Sequence, residues 1–89
     1  MRRAAKVDAN QPEIVAALEQ AGASVLHLHT LGRGAPDICA GYRGRNYLME
    51  IKTVHGKLTP DEMRLQNTWE GHLTIVRSVD EALHAIGAT

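Results

Sequence analysis

Apolar and polar positions along the chain follow two spacings, one typical of helices and one typical of strands. From residue 10 to 21 apolar side chains recur every three or four positions, after Asn10, Pro12 and Glu13 and before Gly22, which is the pattern of a capped amphipathic helix. From residue 25 to 30 they alternate with polar side chains, as in a half-buried strand.

The same spacings over the whole chain predict three helices and four strands in the order α-β-β-β-α-β-α. The helices are predicted over residues 10–21, 59–70 and 78–87, and the strands over 25–30, 36–42, 46–53 and 72–77. Thr59 and Ser78 each precede a glutamate by three positions, the signature of a capping box at a helix start. This order implies a mixed sheet flanked by helices, an α/β (α+β) fold.

The second and third strands predict a hairpin whose register places two acids together. If Arg43 and Gly44 are the central residues of the turn, Asp37 lies directly opposite Glu50, and Lys52 lies on the same face of the sheet. A one-residue slip would move every side chain to the other face, so the apolar residues test this register. The opposite face collects Ile38, Ala40, Tyr42, Tyr47, Met49 and Ile51.

Two opposed carboxylates repel each other unless a cation lies between them. Mg²⁺ prefers oxygen ligands and takes one or two carboxylates while keeping waters or phosphate oxygens. A lysine beside such a site can position the attacking water and offset charge on a phosphate group. Asp37, Glu50 and Lys52 together therefore indicate hydrolysis of a phosphodiester.

In this sequence Pro36-Asp37 is followed, after twelve residues, by Glu50-Ile51-Lys52. This arrangement resembles the signature of the PD-(D/E)xK nuclease superfamily. GRGAPDICAGYRGRNYLMEIKT, followed by KLTPDE and Val76-Arg77-Ser78, is similar to the small stand-alone VRR-NUC domains common in phage and prophage. The resemblance covers residues 10–86. It implies a restriction-endonuclease-like α-β-β-β-α-β core with a C-terminal helix.

The resemblance also implies an activity and a set of site residues. Members hydrolyse DNA with Mg²⁺ or Mn²⁺, often at branched or junction structures as Holliday-junction resolvases do, and many are homodimers. The catalytic residues implied are Asp37, Glu50 and Lys52, and the metal ligands implied are Asp37, Glu50, the carbonyl of Ile51 and Glu13, with Glu19 the weaker choice for the last.

Two positions depart from the family pattern. Glu62 stands where the family tends to carry Gln, and Ser78 stands where it tends to carry a second Arg. The family's Gln can line the active site, so Glu62 and Gln66, one turn further on, are the accessory candidates.

Basic residues near the expected site are candidates for contacts to the DNA backbone. Gly34 belongs to a glycine loop that could let a phosphate approach the main chain. The expected nucleic-acid contacts are Arg33, Gly34, Arg43, Arg45 and Lys57. For each of these cations, ordinary loop solubility is the competing interpretation.

Two other classes of function stay open from the sequence. One is a catalytically silent nuclease fold that binds nucleic acid or a partner without cutting. The other is a small metal-binding protein that uses His27, His29 and Cys39, residues that are otherwise interpreted as surface and packing positions. Either histidine could also lie at the rim of the carboxylate face.

Length, charge and cysteine usage narrow the class of protein. The 89 residues suit one domain over 1–89, and residues 1–9 are expected to be flexible. The core of so short a chain is small, so a partner subunit would help to stabilise the fold. Ten basic and ten acidic residues cancel, yet residues 31–59 carry a net charge of +3. A single cysteine excludes an internal disulfide. We expect a cytoplasmic protein with no membrane span and no secretory signal.

Overall fold

A computed structural model describes residues 8–89 as three helices around a four-stranded sheet. The elements are α1 (Gln11–Gln20), β1 (Ser24–His27), a 3-10 helical turn (His29–Leu31), β2 (Ile38–Tyr42), β3 (Arg45–Ile51), α2 (Pro60–Thr68), β4 (Leu73–Val76) and α3 (Val79–Ala85). The α+β class and the order of helices and strands are confirmed. Most of the segment expected to be flexible, residues 1–7, lies outside the described residues.

The sheet is mixed, with spatial order β1-β2-β3-β4. β1 and β2 are antiparallel, β2 and β3 form the predicted antiparallel hairpin, and β3 and β4 are parallel. Ile38 pairs with Met49 and Tyr42 with Arg45, which is the register that the sequence predicts. Arg43 and Gly44 both have positive φ, at 51° and 81°, as a two-residue hairpin turn that follows the right-handed twist requires.

One face of the sheet forms the core. Ile38, Ala40, Met49 and Ile51 are buried there, as the alternation predicts, together with Val76 of β4. α1 and α3 cover this face, and their buried contributions to it are Ile14, Leu18 and Ala82. The carboxylates of the hairpin are thereby directed to the opposite face, because successive side chains of a strand alternate.

Two strands end earlier than the sequence predicts. β1 stops at His27 because the chain turns into the 3-10 helix, although the backbone N–H of Leu28 still donates to the carbonyl of Asp37 at 2.8 Å. β3 stops at Ile51, and the N–H of Lys52 adds one more hydrogen bond, to the carbonyl of Val76 at 3.0 Å. β2 begins at Ile38 and not at residue 36 as the sequence predicts, so Asp37 directly precedes β2, just as Lys52 directly follows β3.

Asn10 was expected to cap α1, and that prediction is wrong, since its side chain makes no capping hydrogen bond. Its Nδ2 donates instead to the carbonyls of Lys52 and Arg77, at 3.1 and 3.3 Å. β3 and β4 run parallel and end side by side, which leaves two carbonyl groups where the first helix begins. The asparagine thus fixes the start of α1 to the end of the sheet that carries Lys52.

The two predicted capping boxes differ. At α2 the box is complete: Thr59 Oγ1 accepts from the N–H of Glu62 at 3.2 Å, and Glu62 Oε1 accepts from the N–H of Thr59 at 2.9 Å. At α3 Ser78 caps the N–H of Glu81, but the carboxylate of Glu81 accepts from the N–H of Arg77, one residue before the cap. Among residues 8–89 no helix is long and apolar enough to cross a bilayer.

Candidate active site

Asp37, Glu50 and Lys52 meet at the end of the β2–β3 hairpin that is remote from its turn. The register places Asp37 opposite Glu50, and Lys52 follows β3 directly. Glu50 is only 5% exposed, and its Oε2 lies 3.7 Å from Lys52 Nζ. The structure therefore brings together the three residues that the sequence singled out.

The orientation of Asp37 is fixed by the backbone of β3. Its Oδ2 accepts a hydrogen bond of 2.7 Å from the N–H of Ile51, and its own N–H donates to the carbonyl of Met49 at 3.0 Å. Hydrogen bonds to a charged group are short and strong, so this carboxylate is held in one position. Ile51 enters the site through its amide as well as by its place in the strand.

Glu62 joins the site from α2. Its Oε1 lies 2.8 Å from Lys52 Nζ and is the same oxygen that accepts from the N–H of Thr59. The capping box thus has a second role, because it holds the glutamate side chain back toward the start of the helix and over the lysine. The ammonium group of Lys52 lies between two carboxylates, with the closer contact to Glu62.

The carboxylates of the hairpin are crowded enough to change their proton affinity. Burial, followed by the negative charge of Asp37, raises the pKa of Glu50 from 4.5 to about 9. Burial also raises the pKa of Asp37, against the opposing effect of the hydrogen bond from Ile51. Without a cation, this pair therefore retains a proton at neutral pH.

The Lys52–Glu62 pair behaves in the opposite way, and both groups are held in their charged forms. Burial acts to lower the pKa of Lys52, but the hydrogen bond and charge of Glu62 outweigh it and raise that pKa above its usual value. Burial acts to raise the pKa of Glu62, and the hydrogen bonds from Lys52 and Thr59 outweigh it and lower that pKa. The site thus combines a neutralised acid pair with an ionised acid–lysine pair.

Asp37, Lys52 and Glu62 line a cleft of about 350 Å³, and the buried Glu50 is not part of its lining. Its lining is Asp8, His29, Gly32, Gly34, Ala35, Asp37, Lys52, Thr59 and Glu62. Asp8 was not among the predicted site residues, and His29 was expected only as one of two histidines that could lie at the rim of the carboxylate face. The charge of Asp8 contributes to the raised pKa of both Asp37 and Lys52, and the Nδ1 of His29 is buried without a hydrogen-bond partner among the described residues.

Sequence signals for Asp8 and His29 were weak. Asp8 precedes the first predicted helix without any motif, and its carbonyl accepts from the N–H of Gln11 at the turn into α1. His29 falls within the predicted first strand, whereas the structure has it in the 3-10 turn. That turn makes it possible for the imidazole to line the cleft.

Gly32 and Gly34 form one wall of the cleft. A side chain at position 34 would not fit beside α2. Gly34 has φ +78°, and a Cβ there would lie 2.6 Å from the carbonyl carbon of Asp61. The loop is thus in close contact with the first turn of α2. Arg33 lies between two lining glycines, and Lys57 lies in the segment between Lys52 and Thr59, so both belong to the loops beside the cleft.

Glu13, which the resemblance implies as a further ligand, lies elsewhere. It is exposed on α1 and lines a separate cleft with Asn10, Thr53, Val54 and Arg77. The first turn of α1 presents it on the far side of Asn10, which anchors the helix to β3 and β4. In the structure the N-terminal part of the chain contributes the carboxylate of Asp8 to the cleft, and not that of Glu13.

Three other predicted residues are also not at the cleft. Arg43 lies in the hairpin turn and Arg45 directly follows it. Arg45 is five residues from Glu50 along β3, which is about 17 Å at the rise of a strand. Gln66 donates from Nε2 to the carbonyl of Leu73 at 3.1 Å, and so ties α2 to β4.

Within residues 8–89 no three histidine, cysteine, aspartate or glutamate side chains are grouped so that they could hold a metal ion by themselves. The set His27, His29 and Cys39 is therefore not assembled, although the two imidazole rings pack edge to face with centroids 6.2 Å apart. A cation between Asp37 and Glu50 would need a main-chain oxygen, water or a phosphate oxygen to complete its shell. Mg²⁺ is commonly bound in this way, so the donor set fits that ion.

Comparisons of the chain with protein-family models, with curated proteins and with solved structures find no match. The resemblance to PD-(D/E)xK nucleases therefore stays a prediction from the residues quoted above.

Proposed function

We propose that the protein is a metal-dependent endonuclease that hydrolyses phosphodiester bonds in DNA. One observation carries the proposal: Asp37, half-buried, and Glu50, buried, are opposed at a strand end with Lys52 beside them. A bound Mg²⁺ or Mn²⁺ would be held by these two carboxylates, and it would polarise the phosphate and activate water.

The raised pKa values support a cation-binding role for the acid pair. Two crowded and partly buried carboxylates are unfavourable when both are ionised, and proteins remove that cost by protonation or by a positive ion. The pKa of about 9 for Glu50 describes the first of these in the absence of metal. Perturbed acids that face a cleft are also what catalytic sites commonly contain.

Each residue of the proposed site has a distinct role in the reaction. The N–H of Ile51 keeps Asp37 in one orientation, so that the ligand oxygen does not have to be ordered on binding. Lys52 places its ammonium group where it can hold the attacking water and offset negative charge that develops on the phosphate. Glu62 sets the position of that ammonium group.

The proposed substrate is branched or junction DNA, and the proposed assembly is a homodimer. The cleft of about 350 Å³ is lined by carboxylates, a lysine and a glycine loop, groups that suit the sugar-phosphate backbone rather than base edges. Selection among DNAs would then depend on shape, and two copies of a small chain could contact two strands.

The test is cleavage of defined branched and linear DNAs with Mg²⁺, Mn²⁺ or EDTA. We expect metal-dependent cleavage that falls about 10²- to 10³-fold in Lys52→Ala, as when one preorganised electrostatic group is lost. Arg64→Gln is a matched control, since Arg64 is an exposed cation paired with Asp61. Cleavage that is equal in Lys52→Ala and in the unaltered protein would refute the proposed site.

A second candidate is a nuclease fold that binds nucleic acid without cutting it. The observation that favours this candidate is the 2.8 Å ion pair between Lys52 and Glu62, because a lysine engaged by its own protein is less available to a substrate. Glu62→Gln removes the competing charge and keeps the shape of the side chain. Cleavage that persists or increases in this variant supports the nuclease, whereas metal-independent DNA binding without cleavage in both proteins supports the silent module.

A further inference from the structure

A second cleft lies at the other end of the β2–β3 hairpin, beside its turn. Its volume is about 380 Å³, and it is lined by Tyr42, Arg43, Arg45, Tyr47, Ile86 and Gly87. Arg43 lies in the turn and Arg45 directly follows it. Ile86 and Gly87 follow α3. No acidic side chain is part of the lining.

The arginines of this cleft are not neutralised by the protein. Within residues 8–89 neither Arg43 nor Arg45 forms a salt bridge, and residues 1–7 contain no acid that could provide one. The guanidinium carbon of Arg43 lies 5.2 Å from the centroid of the Tyr42 ring, a cation–π contact that leaves its N–H donors available at the edge. Nearby, the rings of Tyr47 and His72 are 5.6 Å apart.

This cleft and the carboxylate cleft are on opposite faces of the sheet. Tyr42 and Tyr47 share the face of Ile38 and Met49, because they lie two or four residues away along the same strands. Asp37 and Glu50 point to the other face, and Glu50 is about 17 Å from Arg45 along the strand. A phosphate bound between the carboxylates is therefore out of reach of these arginines.

Charge separates the two clefts as well. The lining of the carboxylate cleft has three acids, Asp8, Asp37 and Glu62, and one basic residue, Lys52. The hairpin cleft is positive without any metal. Arginine with neighbouring aromatic rings is suited to phosphate contacts and to stacking on bases.

We propose that the Tyr42–Arg43–Arg45–Tyr47 cleft binds the phosphodiester backbone of a second nucleic-acid segment, independently of metal. The proposal rests on the proposed nuclease function for the identity of its ligand. In a branched substrate that segment is a second arm, held on one face of the sheet while the carboxylates act on a strand at the other face.

The test is fluorescence anisotropy of labelled branched and duplex DNA in EDTA, where cleavage cannot occur. We expect the unaltered protein and Arg64→Gln to bind alike, and Arg43→Gln/Arg45→Gln to bind several-fold more weakly. Because each neutralised phosphate contributes about 0.9 to the slope of log affinity against log salt, the double variant should lose about 1.8 units of that slope. Arg43→Gln is compared with Arg64→Gln, which makes the same change of net charge on α2.

Three outcomes decide the matter. If the double variant binds in EDTA with unchanged affinity and slope while thermal unfolding shows that it is folded, the inference is overturned. If Arg43→Lys/Arg45→Lys keeps the slope that the glutamine pair loses, the contact is to phosphate charge, as proposed. If metal-free binding depends on the arginines but no DNA is cleaved with Mg²⁺ or Mn²⁺, the inference stands and the nuclease function fails.

Discussion

The two ends of the β2–β3 hairpin have the same backbone pairing and opposite chemistry. At the open end Asp37 and Glu50 crowd together, and one of them keeps a proton until the pH reaches about 9. At the turn Arg43 and Arg45 line a cleft without acids. One hairpin thus separates a crowded acid pair, which keeps a proton in the absence of metal, from a cleft with two arginines and no acid in its lining.

The difference shows how a small chain with zero net charge can present positive charge locally. Ten acids balance ten bases in the whole sequence, yet the acids of the hairpin are withdrawn into one cleft and its arginines are displayed at the other. Local fields, rather than net charge, decide where a phosphate is attracted.

The largest expected effect separates chemistry from binding. Asp37→Asn should lower the rate of DNA cleavage by about 10³-fold, because a catalytic metal ion supplies several kcal/mol and this variant loses one of its ligands. Its DNA affinity in EDTA should be unchanged or higher, since one repelling charge is gone. Parallel cleavage and anisotropy measurements check this, and an equal loss in both would mean that the two ends are not separate.

Two glycines, Gly34 beside the carboxylate cleft and Gly44 in the hairpin turn, differ in how closely other residues pack around them. Gly34 and Gly44 have similar positive φ values, 78° and 81°, but an added Cβ meets the backbone of Asp61 only at Gly34. Gly44→Ala should cost about 1–2 kcal/mol of unfolding free energy from the backbone conformation alone. Gly34→Ala should cost about 1–3 kcal/mol more from overpacking.

Urea unfolding of the two alanine variants measures the difference directly. Equal losses of unfolding free energy would show that the wall between the glycine loop and α2 is looser than the structure has it. Because the loop also lines the carboxylate cleft, Gly34→Ala should lower cleavage, whereas Gly44→Ala should leave it near that of the unaltered protein.

The pH dependence of stability should be a property of the acid end. The folded protein holds a proton on Glu50 with a pKa of about 9, whereas the unfolded chain releases it near 4.5. In metal-free buffer the free energy of unfolding should therefore fall as the pH rises from about 4.5 to about 9. Glu50→Gln should remove most of that fall.

Thermal unfolding between pH 5 and 9 in EDTA checks this expectation, with Glu13→Gln as a control that keeps the hairpin pair. A midpoint that rises with pH across this range in the unaltered protein would contradict the crowding of Asp37 and Glu50. Arg43 lies at the turn, remote from Asp37 and Glu50, so Arg43→Gln should leave the pH profile unchanged in shape.

The smallest effect concerns which acid supports the site. Asp8→Asn should lower cleavage about tenfold, as loss of an outer-shell partner of a metal site commonly does. Glu13→Gln should leave the rate within error, because Glu13 is exposed and lines another cleft. Steady-state cleavage of one junction substrate by both variants compares them, and the reverse order would place Glu13 at the site.

The hairpin is the part of the fold that could be predicted most fully from sequence. Alternation of Ile38 and Ala40 with polar residues, together with the Arg43-Gly44 turn, is local information, and it determines the register and the meeting of Asp37 with Glu50. The strand ends were less predictable. The 3-10 turn at His29 and the early end of β3 depend on how loops meet the helices, and a periodic pattern contains no trace of that.

Asn10 and Glu62 show the same limit in single side chains. Both are residue types that suit a helix start, and Glu62 does cap α2. Asn10 instead spans to carbonyls 42 and 67 residues away, and Glu62 adds an ion pair to Lys52. Such partners become neighbours only when parallel strands and their flanking helices are assembled.

By itself the sequence determined the order of elements, the core face of the sheet and the trio Asp37, Glu50 and Lys52, because strand periodicity and turn chemistry act over a few residues. Tertiary structure decided that Asp8 and His29 line the cleft while Glu13 does not, and that Glu62 holds Lys52. It also decided that Arg43 and Arg45 form a second cleft rather than part of the first. Distances between elements follow from packing, and packing sums many weak contacts that no short stretch of sequence specifies.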